Sequence, residues 1–322
     1  MTPVAPVLAP PEPEEVIAPS RSHLPLHRRR WPMRVREWFI QRALFAAAAS
    51  SVLITAGIIG TLLWESSVFF AHVPLWSFLT DTQWTPLFSD AHYGIMPLVC
   101  GTLVTTFIAL AVALPTGTIV AIYLSEYAPS WLRELIKPVL ELLSAVPTVV
   151  YGYFALLFVT PCLQKIFPEF PGFSMLSAGL VMGVMIIPYV SSLSEDAMRA
   201  VPMLLREGSY ALGANKILTA INVVCPAAIS GIGAAYILAI SRAIGETMIV
   251  AIAAGMQPNL TLNPAEPAAT ITAYIVQVSL GDLPHGTIGY QSIFAAGLVL
   301  FLMTLMFNLL GHWLRKRYRQ AY

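Results

Sequence analysis

The chain has 322 residues, of which 57% are hydrophobic and only 11% are charged, with a net charge of +1. Soluble globular domains carry about 25% charged residues, so this composition excludes an ordinary soluble domain and predicts an integral membrane protein. The three cysteines lie far apart in the chain. They predict neither a disulfide framework nor a metal site, and we expect no cofactor.

The N-terminal segment is rich in proline and arginine. Residues 1–30 contain seven prolines and few large apolar side chains. Such a segment cannot bury a core, and we predict a disordered cytoplasmic tail over residues 1–42. Its basic end, R-R-R-W-P-M-R-V-R-E-W-F-I-Q-R, directly precedes an apolar run. This position favours a juxtamembrane anchor for anionic lipid headgroups over a nucleic-acid site, and we expect no nucleic-acid partner.

Six apolar runs follow, each long enough to cross a bilayer as a helix of about 20 residues. We therefore predict an all-α polytopic membrane protein whose transmembrane domain covers residues 43–314. The predicted spans are 43–64, 96–124, 139–159, 174–193, 227–254 and 293–314. Pro97 and Pro115 are expected to bend the second span. The sequence G-L-V-M-G, from Gly179 to Gly183, predicts a face on which helices approach closely.

Prolines also fall inside two of the later spans. Pro147 would lie in the middle of the third span and Pro188 inside the fourth. An interior proline frees a carbonyl and bends a helix. These two residues are therefore either flexible points lining a pore or static kinks filled by neighbouring side chains.

Positive charge predicts the orientation. Of the 18 Lys and Arg residues, seven lie in the N-terminal tail, two after the second span, three after the fourth span and four in the basic C-terminal tail, residues 315–322. This asymmetry places both termini in the cytoplasm. The cytoplasmic residues after the second span, among them Glu126, Arg133, Glu134 and Lys137, read as a solvated face at the membrane edge.

The opposite loops, residues 65–95, 160–173 and 255–292, are rich in tryptophan and proline. Trp76 and Trp84 are typical of an aromatic belt at the membrane interface. A docking rim for an external partner is the alternative interpretation.

The cytoplasmic loop over residues 195–226 is long, and it is not disordered in composition. Apolar residues at helical spacing predict short amphipathic helices, and Gly213 falls between two such pieces, where a positive φ would end a helix. A compact element of this kind suits either docking into another protein or lying on lipid.

The motif E-G-S-Y-A-L-G-A, followed thirteen residues after its second glycine by a proline, resembles the EAA loop of ABC-importer permeases. The residues that match the family pattern, and that would dock on an ATPase subunit, are Glu207, Gly208, Ser209, Gly213, Ala214 and Pro226. The usual Ala-Ala pair of the family is Gly-Ser in this chain.

A narrower resemblance covers residues 75–313. The segments W-T-P-L-F, Y-G-I-M-P-L-V-C-G-T-L, A-I-Y-L-S-E-Y-A-P and S-R-A-I-G-E-T-M are similar to the permeases of the phosphate-specific ABC importer. The first and last of them favour the PstC type over the homologous PstA type. The proline-rich tail is not part of the family pattern.

The resemblance implies a type I ABC-importer permease fold with six transmembrane helices in a bacterial inner membrane. It also implies three partners, which are an ATP-binding subunit of the PstB type, a second permease of the PstA type and an external phosphate-binding protein of the PstS type. The chain contains no Gly-Lys pair and hence no Walker A loop. We therefore expect a pore subunit and not an enzyme.

Two ionisable residues, Arg242 and Glu246, interrupt the predicted fifth span. They are four residues apart, so on a continuous helix they would share a face. A structural ion pair is one interpretation. The other interpretation is that both residues lie in the substrate path. Arg242 would then offer its guanidinium to phosphate oxygens, and Glu246 would hold that guanidinium until the substrate competes for it. The resemblance implies that these charges act in transport.

Three other functions remain open at this stage. The chain could serve another oxyanion, such as sulfate, molybdate or phosphonate, or it could be the PstA-type partner. A gradient-driven secondary transporter would use the same two charges but would need no docking loop, and such transporters usually show internal repeats.

Overall fold

The computed structural model describes residues 31–88, 90–284 and 286–317. The chain divides into two compact units, residues 1–57 and 58–322. The described part of the first unit belongs to helix α1 (Trp31–His72). Residues 1–30, most of the predicted tail, lie outside the described residues.

The prediction of a disordered tail is wrong for residues 31–42, which are helical. Pro32 suits the first turn of a helix, and neither glycine nor proline follows before Gly57. The helix of the apolar run therefore extends back through the basic stretch. The Arg42 guanidinium lies 5.4 Å from the centre of the Trp38 ring, one turn away.

The second unit is mainly helical over its described residues. After α1 come α2 (Leu75–Thr80), α3 (Met96–Ile122), α4 (Ser130–Ala145), α5 (Thr148–Phe154), α6 (Thr160–Ile166), α7 (Met175–Arg199), α8 (Met203–Ala211), α9 (Lys216–Thr219), α10 (Cys225–Ala227), α11 (Ile229–Ile244), α12 (Met248–Ala253), α13 (Ile271–Gln277) and α14 (Ile288–Arg317). π-Helical turns occupy Tyr123–Tyr127, Ala155–Val159, Ala220–Val224 and Val278–Asp282. The part of the chain that the structure describes has no strand, only isolated β-bridges joining Trp84 to Tyr93 and Gly255 to Ala268.

Within the described ranges, five helical segments are long and apolar enough to cross a membrane. They are Arg36–His72, Met96–Tyr127, Thr148–Ile166, Met175–Arg199 and Ile288–Arg317. A sixth crossing exists if Lys216–Ala227 and Ile229–Ile244, which meet at 73°, form one bent span. The predicted all-α polytopic class is confirmed, but the bounds of the third and fifth spans are wrong.

The third span starts later than predicted. Helix α4 ends at Ala145, Val146 is extended with φ −63° and ψ 130°, and α5 begins at Thr148. The residue before a proline is disfavoured in helical geometry, so Pro147 separates two helices and does not kink one. Pro188 does lie inside α7, where it is buried.

The core is centred on the contact between α3 and α7. A Cβ at Gly179 would lie 2.8 Å from the Cβ of Ile108, and one at Gly183 would lie 2.9 Å from the carbonyl oxygen of Ala109. The predicted close-packing face is therefore confirmed, because only glycine permits this approach of backbones. Around this pair the buried side chains of α11 and α12 complete the main cluster, which includes Met182, Ile186, Ala239, Ile249 and Val250.

The C-terminal ends of α3 and α7 lie on one side of the spans, together with the loop that carries α8 and α9. Most described lysines and arginines come at or after these ends in the chain; the exceptions are those of α1, Lys165 and Arg242. We therefore call this the basic side. A second cluster of buried aromatic residues, including Phe69, Phe78, Trp84 and Tyr274, packs the opposite side.

Candidate functional site

The predicted fifth span is broken between its two ionisable residues. Helix α11 ends at Ile244, Gly245 has φ −86° and ψ 1°, and α12 begins only at Met248. Glycine is a poor helix former, and the Thr247 hydroxyl donates to the Gly245 carbonyl at 3.3 Å. The prediction that Arg242 and Glu246 share one helix face is therefore wrong.

Glu246 is buried and serves as a cap for α12. Its Oε1 accepts the backbone N–H groups of Met248 at 3.1 Å and Ile249 at 3.4 Å. A carboxylate at this position satisfies free N–H groups and suits the positive end of the helix dipole. The Thr272 hydroxyl donates to the Glu246 carbonyl at 2.7 Å, so α13 also holds the break in place.

Arg242, in the last turn of α11, is half-buried and stacks on an aromatic ring. Its guanidinium carbon lies 4.7 Å from the centre of the Tyr189 ring on α7. Its Nε is buried and has no hydrogen-bond partner among the described residues. No carboxylate oxygen of those residues lies within the 4 Å of an ion pair with it. The interpretation as a structural ion pair with Glu246 is therefore wrong.

A cavity of about 230 Å³ lies beside the Tyr189 ring. Its polar lining comes from Glu141 and Ser144 of α4 and from Ser192 of α7, and Leu238, one turn before Arg242, closes it on α11. Glu141 places a carboxylate in this lining, and Arg242 is not among the described lining residues. The cavity therefore does not by itself form an anion site, and Arg242 is connected to it through the Tyr189 ring.

The predicted loop forms a compact turn of two helices on the basic side. Gly213 has φ +82°, which favours glycine, and its N–H donates to the Tyr210 carbonyl at 2.9 Å. The Ala214 N–H donates to the Ser209 carbonyl at 3.1 Å, and the Ser209 and Thr219 hydroxyls are 2.9 Å apart. The predicted helix, glycine turn and helix are confirmed.

The predicted docking residues occupy different positions in this loop. Glu207, Gly208 and Gly213 are exposed, whereas Ser209 and Ala214 are half-buried and support the turn. Pro226 is exposed in α10, next to the 73° bend that leads into α11. The loop also exposes apolar side chains, among them Leu204 at 78% and Leu212 at its tip at 91% accessible.

Sequence reasoning missed a buried carboxylate at the basic side. Glu195 near the end of α7 is fully buried and lies 3.0 Å from Lys137 Nζ, 3.6 Å from Arg133 Nε and 3.6 Å from Arg199 Nη1. The solvated-face prediction is therefore wrong for Arg133 and Lys137. A hydrogen bond to Asp196, 2.7 Å from Lys137 Nζ, raises the pKa of that lysine above its usual value.

A second buried pair joins the loop to a span. Arg206 of α8 lies 3.0 Å from Glu126 in the π-helical turn after α3, and both side chains are nearly inaccessible. The solvated-face prediction is thus also wrong for Glu126. The two residues are 80 positions apart, and no local pattern in the sequence links them.

On the opposite side, Trp84 is only 2% accessible and packs edge-on against Tyr274 at 4.9 Å between ring centres. The interfacial-belt interpretation is therefore wrong for Trp84, which the bridge to Tyr93 draws into the core. Trp76 is 77% accessible.

Beside this bridge a histidine closes the loop between α2 and α3. Nδ1 of His92 lies 2.9 Å from Oδ2 of Asp81, and Nε2 lies 3.7 Å from Oδ2 of Asp90. The hydrogen bond to Asp81 raises the pKa of His92 above its ordinary value, and the same bond lowers the pKa of Asp81.

The stability of this loop is expected to depend on pH. His92 contributes fully below about pH 6.5, its ordinary pKa, and the contribution is lost as pH rises through the raised value in the folded protein. Asp81 contributes to stability above about pH 4, and its contribution is lost only as pH falls through its lowered pKa.

We expect His92→Gln to lower the Tm of the detergent-solubilised protein at about pH 5.5 and to leave it unchanged at about pH 9. An equal difference at both pH values would contradict the assignment.

With the broken span and the loop described, the chain can be compared with known proteins. A family model described as "Binding-protein-dependent transport system inner membrane component" matches residues 113–320. The chain belongs to this family. It is therefore a multi-pass membrane permease of a binding-protein-dependent transport system.

The permease has curated relatives over most of its length. It is 37% identical to "Probable ABC transporter permease protein YqgH" of Bacillus subtilis, over 74% of this chain and 77% of that protein. It is 31% identical to "Phosphate transport system permease protein PstC" of Xylella fastidiosa, over 83% of this chain and 87% of the relative. The PstC protein of Haemophilus influenzae is 30% identical, over 89% of this chain and 95% of that protein.

Solved structures confirm the fold. A chain of a bacterial alginate ABC transporter, in complex with its alginate pentasaccharide-bound periplasmic protein, superimposes with a TM-score of 0.65 at 16% identity. The superposition covers 91% of the permease and all of that chain. The predicted fold of an ABC-importer permease is therefore confirmed.

Proposed function

We propose that the permease is the transmembrane pore subunit of an ATP-driven importer of inorganic phosphate. The observation that carries this proposal is the similarity, along most of both chains, to permeases named for phosphate transport. The exposed, hydrogen-bonded loop around Gly213 agrees with a pore that is driven by a separate ATPase, a partner that a gradient-driven transporter would not need.

Arg242 is the residue that we propose to meet the substrate. A guanidinium offers planar, paired N–H donors that match phosphate oxygens. The Tyr189 ring holds the cation without neutralising it, and no described carboxylate is ion-paired with it. Glu246 supports this site by fixing the end of the break, and it does not pair with Arg242.

The partners that we propose agree with the surfaces of the permease. The α8–α9 loop would dock on a PstB-type ATP-binding subunit through Glu207, Gly208 and the apolar tip. A PstA-type permease would complete the pore, and a PstS-type protein would deliver phosphate to the loops opposite the basic side. In this arrangement both termini lie in the cytoplasm of a bacterial cell with the pore in the inner membrane, which agrees with the charge asymmetry.

Uptake of radiolabelled phosphate tests the substrate. A strain that lacks the permease should take up little phosphate, and the intact gene should restore uptake that excess sulfate does not reduce. Strong competition by sulfate would instead assign the permease to another oxyanion. Uptake that persists after ATP depletion would point to a gradient-driven transporter.

Docking of the ATPase subunit is expected to depend on Leu212. Burial of one exposed leucine at the centre of an interface is worth about 1.5–3 kcal/mol, and a glutamate there would add a desolvated charge. Leu212→Glu should therefore reduce co-purification of the ATPase subunit with the tagged permease at least about tenfold.

Leu262 offers a matched control, because it is 79% accessible and lies on the opposite side of the spans. Leu262→Glu should leave co-purification unchanged. Equal recovery of the ATPase subunit with both variants would remove the α8–α9 loop as the docking surface.

A further inference from the structure

Helix α8 presents two unlike faces. Met203, Leu204, Glu207 and Gly208 are exposed, and the one fully buried side chain of this helix is that of Arg206. A buried arginine is costly unless each of its donors is satisfied. Its contacts therefore show what α8 is attached to.

Arg206 contacts the ends of two spans at once. Its Nε and Nη2 donate to Glu126 at 3.3 Å and 3.0 Å, in the π-helical turn that continues α3. Its Nη2 also donates to the carbonyl of Met198 in the last turn of α7 at 2.9 Å, and its Nη1 donates to the carbonyl of Val201 at 2.7 Å. One guanidinium thus joins the docking helix to α3 and to α7.

The geometry requires an arginine. The Met198 carbonyl lies in the last turn of α7 and also accepts the Val201 N–H at 3.2 Å, whereas the Val201 carbonyl lies just beyond the helix. A planar fork of donors can reach both carbonyls and a carboxylate together. A lysine offers a single point charge on a flexible stem and cannot make this set of contacts. Ser125 donates to Glu126 Oε1 at 2.8 Å, which fixes the carboxylate in turn.

The spans that Arg206 joins are the two that pack most closely. Gly179 and Gly183 of α7 leave no room for a Cβ because Ile108, Ala109 and Val112 of α3 lie directly against them, so a displacement of one span is expected to carry the other with it. α7 also carries Tyr189, on which Arg242 rests. A displacement of α8 that is passed to α3 and α7 therefore reaches the substrate-path residue.

We infer that Arg206 is a positioning residue that transmits movement of the docking helix to the α3–α7 pair. This inference rests on the proposed function, because it takes an ATPase subunit to be the source of the movement. Glu126 is its carboxylate partner in the same role. The exposed residues beside Arg206 make the contact with the ATPase, whereas Arg206 makes the contact with the pore.

The test uses the complete transport complex reconstituted in proteoliposomes. Arg206→Lys should keep the ATPase subunit bound and ATP hydrolysis near the wild-type rate, while phosphate uptake per ATP hydrolysed falls at least about tenfold. Glu126→Gln should act in the same direction, and the double variant should be no worse than Arg206→Lys alone, because both changes break one contact. Lys165→Gln, which removes an exposed cation on the opposite side, is the control and should behave as wild type.

Amide hydrogen exchange of residues 203–211 in the same complex gives a second readout that does not depend on the substrate. Exchange should be faster in Arg206→Lys than in the wild type. The inference would be overturned if Arg206→Lys left the exchange unchanged or left phosphate uptake per ATP normal. It would also be overturned if this variant lost the ATPase subunit, because Arg206 would then only support the docking surface. If the wild-type complex fails to import phosphate, the proposed function falls, and the exchange experiment still decides the role of Arg206.

Discussion

Replacement of Arg242 by glutamine is expected to lower phosphate uptake about 100-fold while the importer complex stays assembled. A hydrogen bond to a charged group contributes about 1.5–3 kcal/mol, and each 1.4 kcal/mol is a factor of ten. Glutamine keeps a polar donor but loses the charge and the paired N–H groups. The neutral amide of glutamine can also pack against the Tyr189 ring, so we expect the Arg242→Gln variant to fold normally.

Uptake of labelled phosphate into cells or proteoliposomes measures this effect, and size-exclusion chromatography reports assembly. Lys165→Gln again provides a control in which an exposed cation is removed, and Tyr189→Phe retains the aromatic face under the guanidinium. Both should transport near the wild-type rate. Normal uptake by Arg242→Gln would remove Arg242 from the substrate path, and loss of the complex would show that its role is structural.

Removal of the Glu195 carboxylate is expected to cause the largest loss of stability. Truncation of one partner of a buried ion pair costs about 3–5 kcal/mol when the remaining charge stays buried; the cations around Glu195 are 20–51% accessible, so we expect a loss towards or below the lower end of this range. Glu195→Ala leaves Lys137 with Asp196 alone and deprives Arg133 of its carboxylate. Thermal unfolding of the purified permease in detergent should therefore show a Tm several degrees below that of the wild type.

Glu134 is a suitable comparison, since it is an exposed glutamate on the same helix, α4. Glu134→Ala should change stability by less than about 0.5 kcal/mol. Lys137→Ala should cost less in the Glu195→Ala background than in the wild type, because the two residues interact directly. Strict additivity would show that the buried cluster does not act as one network.

The features that sequence predicted best are those written in local patterns. Gly179 and Gly183 are four residues apart, and their spacing alone predicts a face for close packing. Gly213 follows an amphipathic segment and precedes another, so its turn could be derived from its neighbours. The long apolar runs of α3, α7 and α14 likewise define helices wherever they lie in the fold.

The errors have two physical causes. Mean hydropathy over a window of residues reports how apolar a segment is and not whether its helix is continuous. The breaks at Pro147 and Gly245 were therefore predicted as parts of single spans. The ion pairs of Glu195 and Arg206 depend on residues 58 and 80 positions away, and only the packing of α4 against α7 and of α8 against the turn after α3 brings them together. The role of Glu246 is a consequence of the break, since a carboxylate can cap only where a helix begins.

The capping role of Glu246 bears on whether the pore leaks cations across the membrane. Each elementary charge that crosses 100 mV is worth about 2.3 kcal/mol, so an idle pore that admitted sodium ions or protons would drain the energy stored across the bilayer. Because Oε1 of Glu246 accepts the N–H groups of α12, we expect this carboxylate to attract such cations less strongly than a free carboxylate would. In the proposed path, the Arg242 guanidinium that would attract phosphate would also repel small cations at the same point. One side chain would then both bind the substrate and limit the leakage of cations.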